Sequence, residues 1–384
     1  MDKIKISALG SLDEIKYKKI QAEREAWIDD GTDMLINSNF GLHKIVKSLH
    51  MNRVATVVKD IKNENNKCRT ITLASKTSKK LALFKPGQYI IVSAIVDGKF
   101  ITRPYTITSD LKQARDGEYS IAVFKEENGI MSNYLVDDLK IGDELVISGP
   151  FGDFYYNSIR DKKNVISLAS GRGITPFYAM AKAVVAGELD ISLNILYSCK
   201  FEKDLVFKEE LKNFADLTSK INVCFILSDE EKEGCVSGFA SLDKIKTYMT
   251  EENSFFICGS EGFLKYLNKE LESLKLPRKY IRYEDYLPKC NVKKVKEFKL
   301  VVNINGETKI CRCFNNKTIL EAIEQSGLYI PSKCHTGKCG WCSSLLIRGK
   351  VKVVNDKRRE AEKKYNYIHP CSTYPLSDVE ITVR

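Results

Sequence analysis

Three cysteines at C-x₄-C-x₂-C spacing in CHTGKCGWC, residues 334–342, constrain this chain more than any other feature, because thiols so close in sequence must converge on something. A fourth, Cys371 in HPC, follows after a gap of 28 residues. Zinc fingers and ribbons pair two CxxC-like turns, each clamping two thiolates of one tetrahedron. Here Cys334, Cys339 and Cys342 crowd one loop and Cys371 is remote. That asymmetry is the spacing of a loop wrapped around a [2Fe–2S] centre, with structural zinc as the disfavoured alternative. The chain holds twelve cysteines in all, and nothing at its start resembles a secretory signal. A cytoplasmic protein with free thiols is therefore expected, its other cysteines mostly acting as small buried hydrophobes.

With 384 residues the chain exceeds one core, and its patterning changes character three times. Residues 1–50 read as a polar, partly helical extension. Residues 51–160 carry short Val-, Ile-, Thr- and Tyr-rich segments (ATVVKDI, YIIVSAIV, RPYTITS, YSIAVF, DELVISGPFG) separated by Gly, Pro and Asp, the pattern of a small Greek-key β-barrel. In residues 161–286 strands and helices alternate, from NVISLAS and the turn GRG through ITPFYAMAKAVVAG to SFFICGS and YIRYEDY, which predicts an α/β parallel-sheet domain. A Lys-rich linker, 287–297, leads to residues 298–384. There Phe298, Leu300, Val302 and Ile304 share one strand face, and a Thr318/Glu321 capping box opens a helix closed by Gly327. No apolar run approaches the ~18 residues of a membrane span. The net charge of +11 is dispersed, without the dense basic block that nucleic-acid binding calls for.

The hairpin, helix, cysteine loop and trailing strand make residues 298–384 resemble a plant-type ferredoxin domain of α+β, ubiquitin-like form, with Cys334, Cys339, Cys342 and Cys371 as the cluster ligands. A redox centre is the expectation. Gly337 and Gly340 let backbone amides turn toward the cluster, while His335, Lys338 and His369 either tune its potential or form a solvated rim. The segment carries 15 Lys/Arg against 8 Asp/Glu, a net of +7, whereas plant-type ferredoxins are generally acidic. An acceptor with an acidic docking face is the corresponding expectation.

A [2Fe–2S] centre moves one electron at a time and a nicotinamide delivers two, so a flavin is expected between them. RPYT offers Arg103 for a phosphate, Tyr105 for ring stacking and Thr106 as a hydroxyl near the reactive nitrogen. GIMS offers a turn and a hydroxyl, at Gly129 and Ser132, for a pyrophosphate. GRGITP places Gly171 and Gly173 at a strand-to-helix turn, where a helix N-terminus can face a dinucleotide phosphate.

In this order the motifs make residues 51–286 resemble the ferredoxin–NADP reductase superfamily. With the ferredoxin segment, the chain is similar to three-part reductases of the phenylacetate-epoxidase, vanillate-demethylase and Hcp-reductase kind. The resemblance implies an NAD(P)H-dependent flavoprotein reductase. Its flavin would be FAD, with FMN less favoured, held by Arg103, Pro104, Tyr105, Thr106, Gly129, Met131 and Ser132. Gly171, Gly173, Thr175 and Pro176 match the nucleotide loop, Cys258 and Gly259 the segment beside the nicotinamide, and Glu284 the flavin edge. Cys258, Thr106 and Glu284 are the candidates nearest the chemistry. The middle of the nucleotide loop departs from the small residue usual there: Arg172 could grip a phosphate, crowd the nicotinamide or point to solvent. Ser198 and Lys200, at the end of the second strand of that domain, lean toward NADPH over NADH without deciding it. The implied partner is a protein electron acceptor, such as an oxygenase, an Hcp-like protein or another reductase component. Direct reduction of a quinone, ferric chelate or organic substrate is the alternative.

Overall fold

Six strands with buried Val, Ile and Leu form the first sheet: β1 (Met51–Asn65), β2 (Cys68–Ser75), β3 (Tyr89–Val96), β4 (Lys99–Thr106), β5 (Glu118–Phe124) and β6 (Glu144–Phe151). Their order is β4-β3-β6-β1-β2-β5 and every pair is antiparallel. Just past β4, Ile107 bridges Ile121 on β5, so the edge strands meet and the sheet closes on itself. Ile71, Leu73, Ile90, Val92, Ile101 and Tyr119 fill the interior. Strand β2, CRTITLAS, is not among the segments the sequence singles out, yet it sits between β1 and β5. The structure is a computed structural model and describes residues 51–77, 80–284, 290, 292–354 and 356–383. The expected extension 1–50 and part of the expected linker lie outside them.

The second sheet is parallel, in the order β10-β9-β8-β7-β11-β12, with β7 (Asn164–Ser170), β8 (Ser192–Cys199), β9 (Ile221–Leu227), β10 (Val236–Ser237), β11 (Asn253–Cys258) and β12 (Ile281–Tyr283). Its central strands are apolar on both faces. Val165 and Ala169 of β7 join one core with the helix Thr175–Val185, while Ile166 and Leu168 join another with Leu267 and Leu271 of the helix Glu261–Glu272.

The third sheet is mixed, β14-β13-β19-β15-β17, with β16 and β18 paired beside it. Its strands are β13 (Glu297–Ile304), β14 (Glu307–Phe314), β15 (Ser344–Arg348), β16 (Val351–Val353), β17 (Tyr367–Ile368), β18 (Thr373–Pro375) and β19 (Val379–Val383). Leu300 and Val302 are fully buried and Phe298 and Ile304 pack against the same core. The helix Ile319–Gln325 opens on the expected capping box: Thr318 N–H donates to Glu321 at 2.7 Å, and Glu321 N–H to Thr318 Oγ1 at 3.1 Å. Gly327, at φ +77°, follows its end. Among the described residues, no helix is long and apolar enough to cross a membrane.

One buried carboxylate fastens the edge of the parallel sheet. Asp161, its side chain wholly shielded, accepts from Arg282 of β12 at 2.7 Å, from Arg160 at 2.8 Å and from the Asn157 amide at 2.9 Å. Removing one partner from a buried ionic set leaves uncompensated charge. Asp161→Ala is expected to cost about 3 kcal/mol in denaturant unfolding of this domain, with Asp161→Asn costing less because the amide oxygen still accepts.

Candidate functional site

At the middle of the parallel sheet the chain leaves β7 toward β8 on one side, while β11 lies on the other. The loops after β7 and β11 therefore flank the topological switch point, where open α/β sheets bind their ligands. The two loops touch. A Cβ on Gly173 would stand 2.1 Å from the Cys258 carbonyl oxygen, and one on Gly259 would stand 2.5 Å from the Phe263 ring. The helix Thr175–Val185 starts directly at this contact, with Pro176 in its first turn and Thr175 Oγ1 donating to the Arg172 carbonyl at 3.1 Å. Cys258 is fully buried at the end of β11, and beside it the Glu284 amide donates to Ile257 O at 3.0 Å. At the end of β8 the Ser198 hydroxyl is buried and, among the described residues, has no hydrogen-bond partner.

In front of these loops lies a cavity of about 850 Å³ walled by all three domains. The barrel contributes Tyr89, Arg103, Pro104, Tyr105 and Thr106, and the turn after β5 contributes Gly129, Met131 and Ser132. Arg172, Thr175 and Glu284 come from the nucleotide domain, and Cys334, Thr336 and Lys338 from the cysteine loop. Gly171, Gly173, Pro176, Cys258 and Gly259 do not line the cavity. The turn at Gly129 is tight, since a Cβ there would lie 2.3 Å from Ser132 Oγ. Burial pushes the Tyr105 phenol up, so it stays protonated. Arg172 does not simply point to solvent: its guanidinium pairs with Glu126, a residue of the barrel, across the cleft.

The cysteine loop folds around its own sulfurs. The Thr336 and Cys339 amides donate to Cys334 Sγ at 3.4 Å, and the Gly337 amide donates to Cys371 Sγ at 3.3 Å. Gly337 has φ +75° and no room for a side chain, because a Cβ would meet Ser372 Oγ at 2.5 Å. The Cys334 thiol lies beside those of Cys339 and Cys371, and the Cys342 thiol beside that of Cys371. Four thiols brought together, with backbone amides aimed at sulfur, fit the cradle of an iron–sulfur cluster. The two histidines are not a solvated rim, since both are buried. His369 Nδ1 meets Gly337 O at 2.7 Å and its Nε2 meets Glu362 at 3.1 Å. Burial and the nearby Arg103 charge push His335 down to about 3, so a neutral ring meets Thr102 Oγ1 at 3.2 Å.

Several residues of this region carry no signal that reading the sequence picked up. Glu324 binds Arg103, Glu126 binds Arg172, and Thr102 touches both His335 and, at 3.1 Å, Ser332. Phe100 packs edge-on against Tyr329 with centroids 5.1 Å apart, and Lys338 reaches Asp153 at 2.8 Å. Each of these contacts is made between domains, and no short motif announces it.

A closed flavin-type barrel, a dinucleotide-type parallel sheet and a cysteine loop shaped for two irons, all on one cavity, define a pyridine-nucleotide-linked electron-transfer flavoprotein. Comparison with known proteins agrees. Residues 55–156 match the oxidoreductase FAD-binding domain, residues 168–269 the oxidoreductase NAD-binding domain, and residues 302–376 the 2Fe-2S iron-sulfur cluster binding domain. The chain is 26% identical over 325 residues to the glycine betaine monooxygenase reductase subunit of Chromohalobacter salexigens, covering 78% of this chain and 88% of that one. It is 27% identical over 349 residues to a subunit of the 1,2-phenylacetyl-CoA epoxidase of Escherichia coli, covering 85% and 96%. Its fold matches that of phthalate dioxygenase reductase with a TM-score of 0.67 at 21% identity, over 86% of this chain and 98% of the other. The chain belongs to the three-domain reductases of the ferredoxin–NADP reductase superfamily that carry a C-terminal plant-type [2Fe–2S] domain. It is an NAD(P)H-dependent oxidoreductase whose cofactors are FAD and a [2Fe–2S] cluster.

The contact between Gly173 and the Cys258 carbonyl can be tested directly. Gly173→Ala forces the two loops apart and is expected to weaken NAD(P)H binding by about tenfold. Nucleotide titration should show this while the flavin and iron–sulfur absorbance stay unchanged.

Proposed function

We propose that the shared cavity is where nicotinamide, flavin and cluster loop meet, and that electrons leave from the cluster to a protein acceptor. The observation that carries this is that Tyr105, Thr106 and Thr175 line the same space as Cys334. Arg103 and the turn at Gly129, Met131 and Ser132 would hold the flavin phosphates. Pro104 and Tyr105 would bear on its ring, Thr106 would donate near its reactive nitrogen, and Glu284 would stand at its edge. The loop of Gly171, Gly173, Thr175 and Pro176 would take the dinucleotide phosphates. Cys258 and Gly259 would shape the floor beneath the nicotinamide. Cys334, Cys339, Cys342 and Cys371 are the proposed iron ligands. When bound, the flavin supplies acceptance of two electrons together and their release one at a time. The chain's own residues contribute orientation and exclusion of water rather than acid–base chemistry.

Three cluster cysteines are buried and Cys339 is exposed, beside Trp341 at 54% exposure. The segment's net charge of +7 suits an acceptor with an acidic docking face. The reductase subunits among the relatives support a protein acceptor, an oxygenase component foremost, with an Hcp-like or other reductase component as the further candidates.

The test is an anaerobic visible spectrum during titration with NADH and, separately, NADPH. Both the flavin and the iron–sulfur bands are expected to bleach with one nucleotide. Bleaching of the flavin alone would refute the proposed wiring. Once the acceptor is in hand, electron transfer to it should slow as ionic strength rises. A rate indifferent to salt would remove the acidic docking face.

A further inference from the structure

Arg103 is held from outside its own domain. Its Nη1 donates to both carboxylate oxygens of Glu324, at 3.0 and 2.9 Å, and to its neighbour's carbonyl, Thr102 O, at 2.6 Å. Glu324 belongs to the helix Ile319–Gln325, 221 residues further along, which packs against β4. It is only 5% exposed. Among the described residues, Nε and Nη2 of Arg103 have no acceptor, and Arg103 lines the same cavity as Gly129 and Ser132.

A surface arginine is a flexible fork that loses rotamer freedom when it grips a phosphate. Here one prong, Nη1, is already fixed by both oxygens of a buried carboxylate, which leaves the other edge of the guanidinium for a ligand. We propose that Glu324 is a positioning residue for the flavin site, supplied by the ferredoxin domain: it pins Arg103 in the orientation that meets the flavin phosphate. The flavin site is then complete only when the ferredoxin domain is seated on β4. Flavin affinity and domain seating become linked, each strengthening the other. The strand that carries Arg103 also carries Thr102, which touches His335 next to Cys334, so the same seating sets the cluster loop against the barrel. This inference rests on the reading of Arg103 as a phosphate residue.

The gain is one of orientation and not of charge, because a carboxylate near a phosphate is electrostatically adverse. That separates the variants. The test starts from full-length protein with its cluster in place, stripped of flavin and titrated with FAD. Glu324→Ala, or Glu324→Met where alanine disturbs the helix, is expected to lower FAD affinity by about tenfold or more. Glu324→Gln keeps an acceptor for Nη1 and should recover most of that loss. In an Arg103→Ala background the Glu324 substitutions should cost nothing further, a coupling that a merely structural role would not show. The circular dichroism of the cluster serves as control and should match the wild type.

Wild-type or tighter FAD binding in Glu324→Met, with Arg103→Ala still losing flavin, would overturn the inference alone. Unchanged binding in Arg103→Ala would overturn the reading of Arg103 itself.

Discussion

Strand β4 has to satisfy three environments at once, and the rest of the molecule is arranged around that demand. Ile101 points into the barrel core. Phe100 and Thr102 meet the ferredoxin domain through Tyr329, Ser332 and His335. Arg103, Tyr105 and Thr106 face the cavity. Because side chains alternate along a strand, a slip of one residue would exchange the core and ferredoxin faces. The register is fixed by an unbroken antiparallel ladder to β3, from Tyr89 opposite Thr106 to Val96 opposite Lys99. The hydrophobic pattern that builds the barrel thus also sets where the cluster loop sits.

The two arginines at the cavity show how burial decides what an ion pair is worth. Arg172 and Glu126 join the nucleotide loop to the barrel, but both side chains remain about a third exposed or more, where water screens such pairs to little net stability. Their effect is better understood as holding the Arg172 guanidinium at the barrel side, next to the turn where Gly129 packs against Glu126. Arg103 and Glu324 are a different case. Burial raises the Glu324 carboxyl while the guanidinium opposes that rise.

Much of the fold was legible because its signals are local. The cysteine spacing, the Thr318/Glu321 capping box, Gly173 at the strand-to-helix turn and the apolar runs of β7 and β11 each depend on neighbours a few residues away. Strand β2 escaped notice because CRTITLAS is short and interrupts its apolar positions with threonines, and its pairing with β1 and β5 is tertiary. Glu324 escaped for a stronger reason. It lies one helical turn after the capping Glu321 and reads as an ordinary solvated helix glutamate, until the fold brings a strand 221 residues earlier against it. Asp161 and Glu126 are likewise unremarkable acids in sequence whose partners are supplied by other elements. Local chemistry can be read from spacing, whereas a contact between domains needs the docking itself.

The ferredoxin domain is asymmetric in burial around its cysteines, and that asymmetry bears on the route of electrons. On the side of Cys334 the loop is covered, with His335 and Thr336 buried and Thr102 of β4 against the ring. On the side of Cys339 it is open, and Trp341 projects with Lys333 stacked over its face at 3.3 Å. The barrel already occupies the covered face, so a second protein has no access there while the domain is seated. Under the proposed wiring, an acceptor that reaches the cluster at exposed Cys339 leaves the contact of His335 with Thr102 undisturbed. A domain that had to undock before each delivery would break such contacts in every cycle, the buried Arg103–Glu324 pair among them.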